Sequence, residues 1–130
     1  MVAVDTNIIV RLLTRDNKSQ FKQAYRIFEE NEIFVSDTVI LELEWVLRYS
    51  YKYKANDIYL SFQEFFGLAN VYVADARKLS LALEWHNLGL DFADAFHLVN
   101  SQHCTAIYSF DSAFIKKAKD FSVCEVKLPD

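Results

Sequence analysis

The stretch MVAVDTNIIVRLL, residues 1–13, decides the fold. Its first four residues, Met1–Val4, form an unbroken apolar run, the pattern of a short strand covered on both faces. The run stops at Asp5. Asp5, Thr6 and Asn7 then carry helix-start chemistry, and Ile8–Leu13 continues as an apolar helical stretch. In open sheets that alternate with helices, ligands bind beyond the carboxyl ends of the strands, and Asp5 falls at such an end.

The same alternation continues outward. Ser19–Glu30 places Phe21, Ala24, Tyr25, Ile27 and Phe28 at helical spacing, and Ile33–Val35 reads as a second strand. Ser36 or Asp37 caps a helix through Val39, Ile40, Leu43, Val46 and Leu47, and Ala55–Phe66 is a further helix. Val71–Val73 is a strand or an extended connection. A helix starting at Asp75 or Ala76 runs to His86, Gly89 breaks the chain, and Asp91 caps a helix to about His103. Ala106–Ser109 is another strand, Asp111 caps a short helix to Ala118, and Val123–Val126 closes the order. Short apolar strands alternating with helices predict an α/β fold: a parallel sheet of about four to five short strands flanked by helices. A chain of 130 residues fits one domain, residues 1–130.

Hydrophobic residues make up 52% of the chain, enough for a real core, and 2 Gly with 1 Pro leave little material for linkers. No run reaches the roughly 18 apolar residues of a membrane span. The opening lacks the basic region and small-residue cleavage site of a signal peptide. Cys104 and Cys124 have no metal-ligand spacing and read as reduced thiols of a cytoplasmic protein. The net charge of −4 argues against a broad basic face that coats nucleic acid. Residues 1–54 are balanced, eight basic against eight acidic, so the acidic excess lies in the remainder. That excess suits a cation site; on charge alone a solubilising surface is the plainer reading.

Five acids are candidates for chemistry. Asp5 and Asp111 follow strands, and Asp91 and Asp94 share the first turn of one helix at i, i+3. The fifth is Glu42. Its helix neighbours at three and four residues, Thr38, Val39, Trp45 and Val46, include no base, whereas Glu44 has Arg48 at i+4. An acid among apolar groups needs a charge partner, and a metal ion is one. Glu42 is therefore expected to be the functional acid and Glu44 a solvated surface pair. Mg²⁺ and Mn²⁺ are hard cations that prefer oxygen ligands, and acids gathered from separate chain positions suit them. Such a metal activates water and stabilises the charge that builds on a phosphodiester. One metal or two would serve. Singly, Asp5, Asp91 and Asp111 each read as an N-cap; Asp94 is left over once Asp91 fills that role, and its alternative is a favourable place in the helix dipole.

Four segments in order resemble the PIN-domain family, and within it the VapC type of toxin nuclease: VDTNIIVRLL, VILELEWVLR, DFADAFHL and SFDSAF. The resemblance covers residues 1–114 and implies a Rossmann-like PIN fold and a metal-dependent endoribonuclease. Asp5, Glu42, Asp94 and Asp111 occupy the family's acid positions as catalytic and metal-binding residues. Thr6 and Asn7 match its DTN and are expected to orient Asp5 and cap the first helix. Asp91 enters as a supporting or capping residue, and Ser109 stands where a small hydroxyl usually does. Ser112 departs from the pattern, since a basic residue often follows the acid there. The resemblance further implies Mg²⁺ or Mn²⁺, a structured RNA substrate such as tRNA, a small VapB-like antitoxin and a homodimer.

Arg11 and Arg15, at i, i+4 after the first motif, are the candidates for RNA phosphate contact; the alternative is a solvated helix face. Tyr49, Tyr51, Tyr53 and Tyr59 with Lys52 and Lys54 form either an RNA-facing or partner-facing edge or an ordinary loop. The other aromatics recur at helical spacing and read as core or protein interface before base stacking. His86, His97 and His103 lack zinc-ligand spacing, and no Ser-His-Asp arrangement or phosphate loop is present. The competing function is a PIN-like module that binds RNA or protein without cutting. A receiver domain and an aspartyl-nucleophile phosphatase fit poorly, because Asp5 lies on the first strand and Asn7 stands two residues on.

Overall fold

Strands and helices alternate throughout the computed structural model, which describes residues 1–121 and 124–130. The chain divides into two compact units, Met1–Ala76 and Arg77–Asp130. Seven helices and five strands, all paired in parallel, are present among the described residues, and the fold class is α/β.

In the first unit, β1 (Val2–Ala3), β2 (Ile33–Phe34) and β3 (Val71–Tyr72) form one ladder in that order, with Val2 opposite Ile33 and Ile33 opposite Val71. Each strand is two residues long, so the buried helices supply most of the core. The structure corrects the reading of Met1–Val4 as a fully covered strand. Val2 and Ala3 are exposed and only Val4 is buried, because β1 is an end strand of its ladder with β2 as its one neighbour there. Of Val71–Val73, Val71–Tyr72 forms the strand β3 and Val73 lies outside it.

Four helices fill the rest of this unit: α1 (Thr6–Thr14), α2 (Lys18–Glu30), α3 (Asp37–Ser50) and α4 (Ala55–Phe66). Their starts follow side-chain chemistry. The free N–H groups of a first helical turn need acceptors, and Asp5, Asn17 and Ser36 supply them for α1, α2 and α3. In α4 the Asp57 carboxylate reaches back to the Lys54 N–H at 2.9 Å. Ile9, Ile33, Ile40, Leu43, Leu47, Ile58 and Phe62 have no solvent exposure and form the centre of the core. Phe28 meets Phe65 edge-on, at 5.6 Å between ring centres. Trp45 on α3 lies outside that core, 54% exposed, with its ring 4.9 Å from Tyr49.

The second unit holds α5 (Ala76–Asn87, starting at the last residue of the first unit), α6 (Phe92–Asn100), β4 (Ala106–Tyr108), α7 (Ser112–Ala118) and β5 (Glu125–Lys127). β4 and β5 pair in register, Ala106 opposite Glu125 and Tyr108 opposite Lys127. Val123, the expected start of the last strand, lies outside the described residues. Leu79, Ala82, Leu90, Phe92, Ala95, Leu98 and Val99 form the core, and Trp85 is buried beside Phe121 with ring centres 5.8 Å apart. α6 stops at Asn100 rather than His103: the Asn100 and Gln102 side chains donate to the carbonyls of Phe96 and Leu98, which ends the helix early. Both cysteines stand as thiols, Cys104 exposed and Cys124 buried. Among the described residues no helix is long and apolar enough to cross a membrane.

Candidate active site

Asp91, Asp94 and Asp111 come together in the second unit, and local chain chemistry explains why. α5 ends in a Schellman arrangement: the Leu90 N–H donates to the Trp85 carbonyl at 3.2 Å and the Gly89 N–H to the His86 carbonyl at 3.0 Å. That ending needs a left-handed residue, and Gly89 supplies it with φ +116°. The next residue but one, Asp91, caps α6 by accepting from the Asp94 N–H at 3.2 Å. The chain thus turns from one helix into the next within a few residues and sets Asp94 in the first turn. Buried His86 ties the turn down, its Nδ1 donating to the Leu90 carbonyl at 2.8 Å while Nε2 has no partner among the described residues.

Asp111 enters from the start of α7. It caps α7, Oδ1 accepting from the Ala113 and Phe114 N–H groups at 3.0 and 3.1 Å. Ser109 Oγ accepts from the Asp111 N–H at 3.0 Å, which gives the expected small hydroxyl a defined task. The three acids line one cavity of about 350 Å³ with Leu90, Phe114 and Lys117.

The Asp94 carboxylate is half-buried and accepts no hydrogen bond from the described residues. Burial, then the neighbouring Asp91 and Asp111 carboxylates, push it above the usual carboxylate range; His97 and Lys117 pull it back in part. A half-buried carboxylate without a donor, beside two further carboxylates, has no ion pair among the described residues. Among the described residues no three His, Cys, Asp or Glu side chains are close-set enough to hold a metal ion by themselves. Mg²⁺ keeps several of its waters and takes only one or two carboxylates directly, so Asp94 and Asp111 are the residues here that could hold such an ion.

In the first unit Asp5 is the N-cap of α1, Oδ1 accepting from the Thr6 N–H at 2.7 Å. The Thr6 hydroxyl donates to Glu42 Oε1 on α3. The expected role of Thr6 therefore shifts, since it orients Glu42 while Asp5 caps the helix itself. Asn7 lies exposed in the first turn. The contrast drawn between the two glutamates is reversed in burial. Glu42 is exposed, whereas Glu44 is 2% exposed and forms a two-pronged ion pair with Arg48 at 2.8 and 3.2 Å. The i, i+4 pair exists as expected, but Glu44 points into the unit and only Arg48 reaches water.

Arg11 is held within the protein, donating to Asp16 at 3.1 Å, to Gln20 and to Tyr51. Tyr51 also donates to Asp16 at 2.7 Å, which with Thr14 and Arg11 keeps that carboxyl below its usual range. Tyr51 of the aromatic-basic segment is therefore part of a structural network. Arg15 ends α1 in the left-handed region at φ 55° and lies over the Phe21 ring, 4.8 Å from its centre. Lys117 was not among the residues expected from sequence. Its signal is spacing: Ala113, Phe114 and Lys117, at three and four residues, form one stripe of α7 along the cavity.

Short parallel strands alternate with helices in both units, and the second unit carries a cavity lined by three carboxylates. The PIN domain family model matches residues 2–120, and the chain belongs to that family. PIN domains are generally nucleases, which supports reading this protein as a hydrolase. No curated protein and no solved structure matched the chain.

Proposed function

We propose that this protein is a metal-dependent endoribonuclease, the toxin of a VapBC-type toxin–antitoxin pair, acting on a structured RNA such as tRNA in the cytoplasm. The observation that carries the reading is the donor-free, half-buried Asp94 carboxylate, sharing its cavity with Asp91 and Asp111. Asp94 and Asp111 are the acids of this unit that would hold Mg²⁺ or Mn²⁺. Oδ1 of Asp111 is committed to the helix cap, and Oδ2 accepts no hydrogen bond among the described residues. Asp5 and Glu42 are the candidate acids of the first unit, with Thr6 fixing the Glu42 carboxylate. When bound, the metal supplies an activated water and charge stabilisation for the phosphodiester. The protein keeps carboxylate oxygens available for it, caps α6 and α7 so that those oxygens are fixed, and orients Glu42 through a buried hydroxyl.

Partner binding has support in the first unit. Leu12, Leu13, Phe21, Tyr25 and Leu68 line an open cavity of about 300 Å³, and Trp45 and Tyr49 are exposed on α3. Exposed apolar surface of this kind suits an antitoxin segment or a second copy of the chain. Arg15 is the better placed of the two arginines for RNA, because Arg11 must leave Asp16 to reach a phosphate.

The test is incubation of the purified protein with total bacterial RNA in Mg²⁺, in Mn²⁺ and in EDTA, beside Asp94→Asn, Asp5→Asn and Glu42→Gln. Discrete products that need metal and vanish in all three variants support the reading. Cleavage that persists in EDTA or in Asp94→Asn sinks it. An inert wild type favours a PIN-like module that binds RNA or protein without cutting.

A further inference from the structure

We propose that Lys117 is the residue that binds the RNA phosphate beside the acids, an inference that rests on the nuclease reading and adds to it. A cavity lined by Asp91, Asp94 and Asp111 repels a phosphodiester, and Lys117 is the cation that lines it with them. The ammonium is not spent on those acids. Its Nζ donates to the neutral Gly89 carbonyl at 3.1 Å, and among the described residues it forms no ion pair within 4.0 Å. An ammonium carries three donors, so two remain for an incoming oxygen, and the carboxylates keep theirs for a cation. The tether is built in, because the Gly89 carbonyl belongs to the left-handed turn fixed by the two backbone bonds that end α5. Lys117 is thereby held close enough for its charge to reach Asp94, yet off the carboxylates. Such an arrangement keeps a phosphate-binding charge beside a metal-binding charge without the two cancelling.

The variants Lys117→Met, which keeps the stem and loses the charge, and Lys117→Arg separate charge from packing. Binding of unfractionated bacterial tRNA is measured in EDTA, where no metal-dependent cleavage occurs, across a range of salt. Lys117→Met is expected to weaken binding about tenfold and to lower the log–log salt slope by about 0.7–1, the signature of one lost phosphate contact; Lys117→Arg restores both. Titration with Mn²⁺ alone is expected to show Lys117→Met binding the ion roughly two- to fivefold tighter, since a neighbouring positive charge is gone. A lysine with only a packing role moves the melting temperature and leaves the salt slope alone. An unchanged slope and Mn²⁺ affinity in Lys117→Met, or a wild type that does not bind tRNA, overturns the proposal. Metal-dependent cleavage of the same tRNA by wild type reports separately on the nuclease reading.

Discussion

Replacing Arg48 by Met is expected to unfold this protein far more readily than loss of an ordinary surface ion pair. The Glu44 side chain is 3% exposed and Arg48 is 36% exposed, so the substitution strands a carboxylate that water cannot reach. Breaking a buried pair by removing one partner costs about 3–5 kcal/mol. The Arg48 side chain is 36% exposed, so half of the pair is already partly solvated and the lower part of that range applies. The loss of the Arg48 stack on the Tyr49 ring adds a few tenths, about 0.5 kcal/mol. A destabilisation of roughly 2–4 kcal/mol follows. With a urea m-value of about 2 kcal/mol/M for a domain of this class, the midpoint falls by about 1–2 M, read by far-UV circular dichroism. The double variant Glu44→Met with Arg48→Met recovers most of the loss, because an apolar pair of similar volume has no charge to strand. A cost under about 1 kcal/mol for Arg48→Met is what a solvated pair gives, and it would refute the burial of Glu44.

Asp94→Asn is expected to abolish metal-dependent cleavage and yet raise the melting temperature at pH 7 by about 2 °C. The sign follows from the upward shift of Asp94: its ionisation weighs against the folded state at neutral pH, and the gain from Asn fades as pH falls toward the ordinary value of 3.8. A thermal scan from pH 4 to pH 8 checks both halves. Thr6→Val keeps the shape of a residue that is 2% exposed and removes the donor to Glu42; cleavage is expected to fall about tenfold and stability by about 1 kcal/mol, whereas an unchanged rate would show that Glu42 needs no such support. Arg15→Ala is expected to reduce RNA affinity and its salt dependence, while Arg11→Ala acts chiefly on stability, by less than about 1 kcal/mol, because its guanidinium is already engaged with Asp16. The reverse ranking in a salt series would return Arg11 to the RNA-binding surface.

Much of the fold was legible because the helices announce themselves. Asp5, Ser36, Asp91 and Asp111 each cap the helix that follows, and Gly89 ends α5 as a left-handed residue, whereas the Asn17 cap of α2 emerged only from the structure. The parallel strands were legible as short apolar runs. Their exposure was not, since a run of Val and Ala does not record how many neighbours the strand will have. Strand-end logic singled out Asp5 and Asp111, whereas Asp94 was read from its place in the first turn of a helix and from the family resemblance. The glutamates show the limit of local reasoning. Sequence spacing identified Glu44 and Arg48 as a pair, but which way α3 turns that pair depends on what the rest of the unit packs against it. Thr6 likewise reads as part of the helix start, and its hydroxyl bonds a residue 36 positions away. Lys117 escaped because a lone lysine on a short helix looks like any solvated one until the carbonyl it reaches is known.

The two tryptophans sit in different units, and they differ in environment: Trp45 is largely open to water, whereas Trp85 is 8% exposed and packed near Phe121. Each unit therefore carries its own intrinsic fluorophore. Unfolding should red-shift the emission of Trp85 strongly and that of Trp45 little. Trp45→Phe and Trp85→Phe proteins, followed in parallel, would turn this difference into a measure of whether residues 1–76 and 77–130 melt as one cooperative body or in succession.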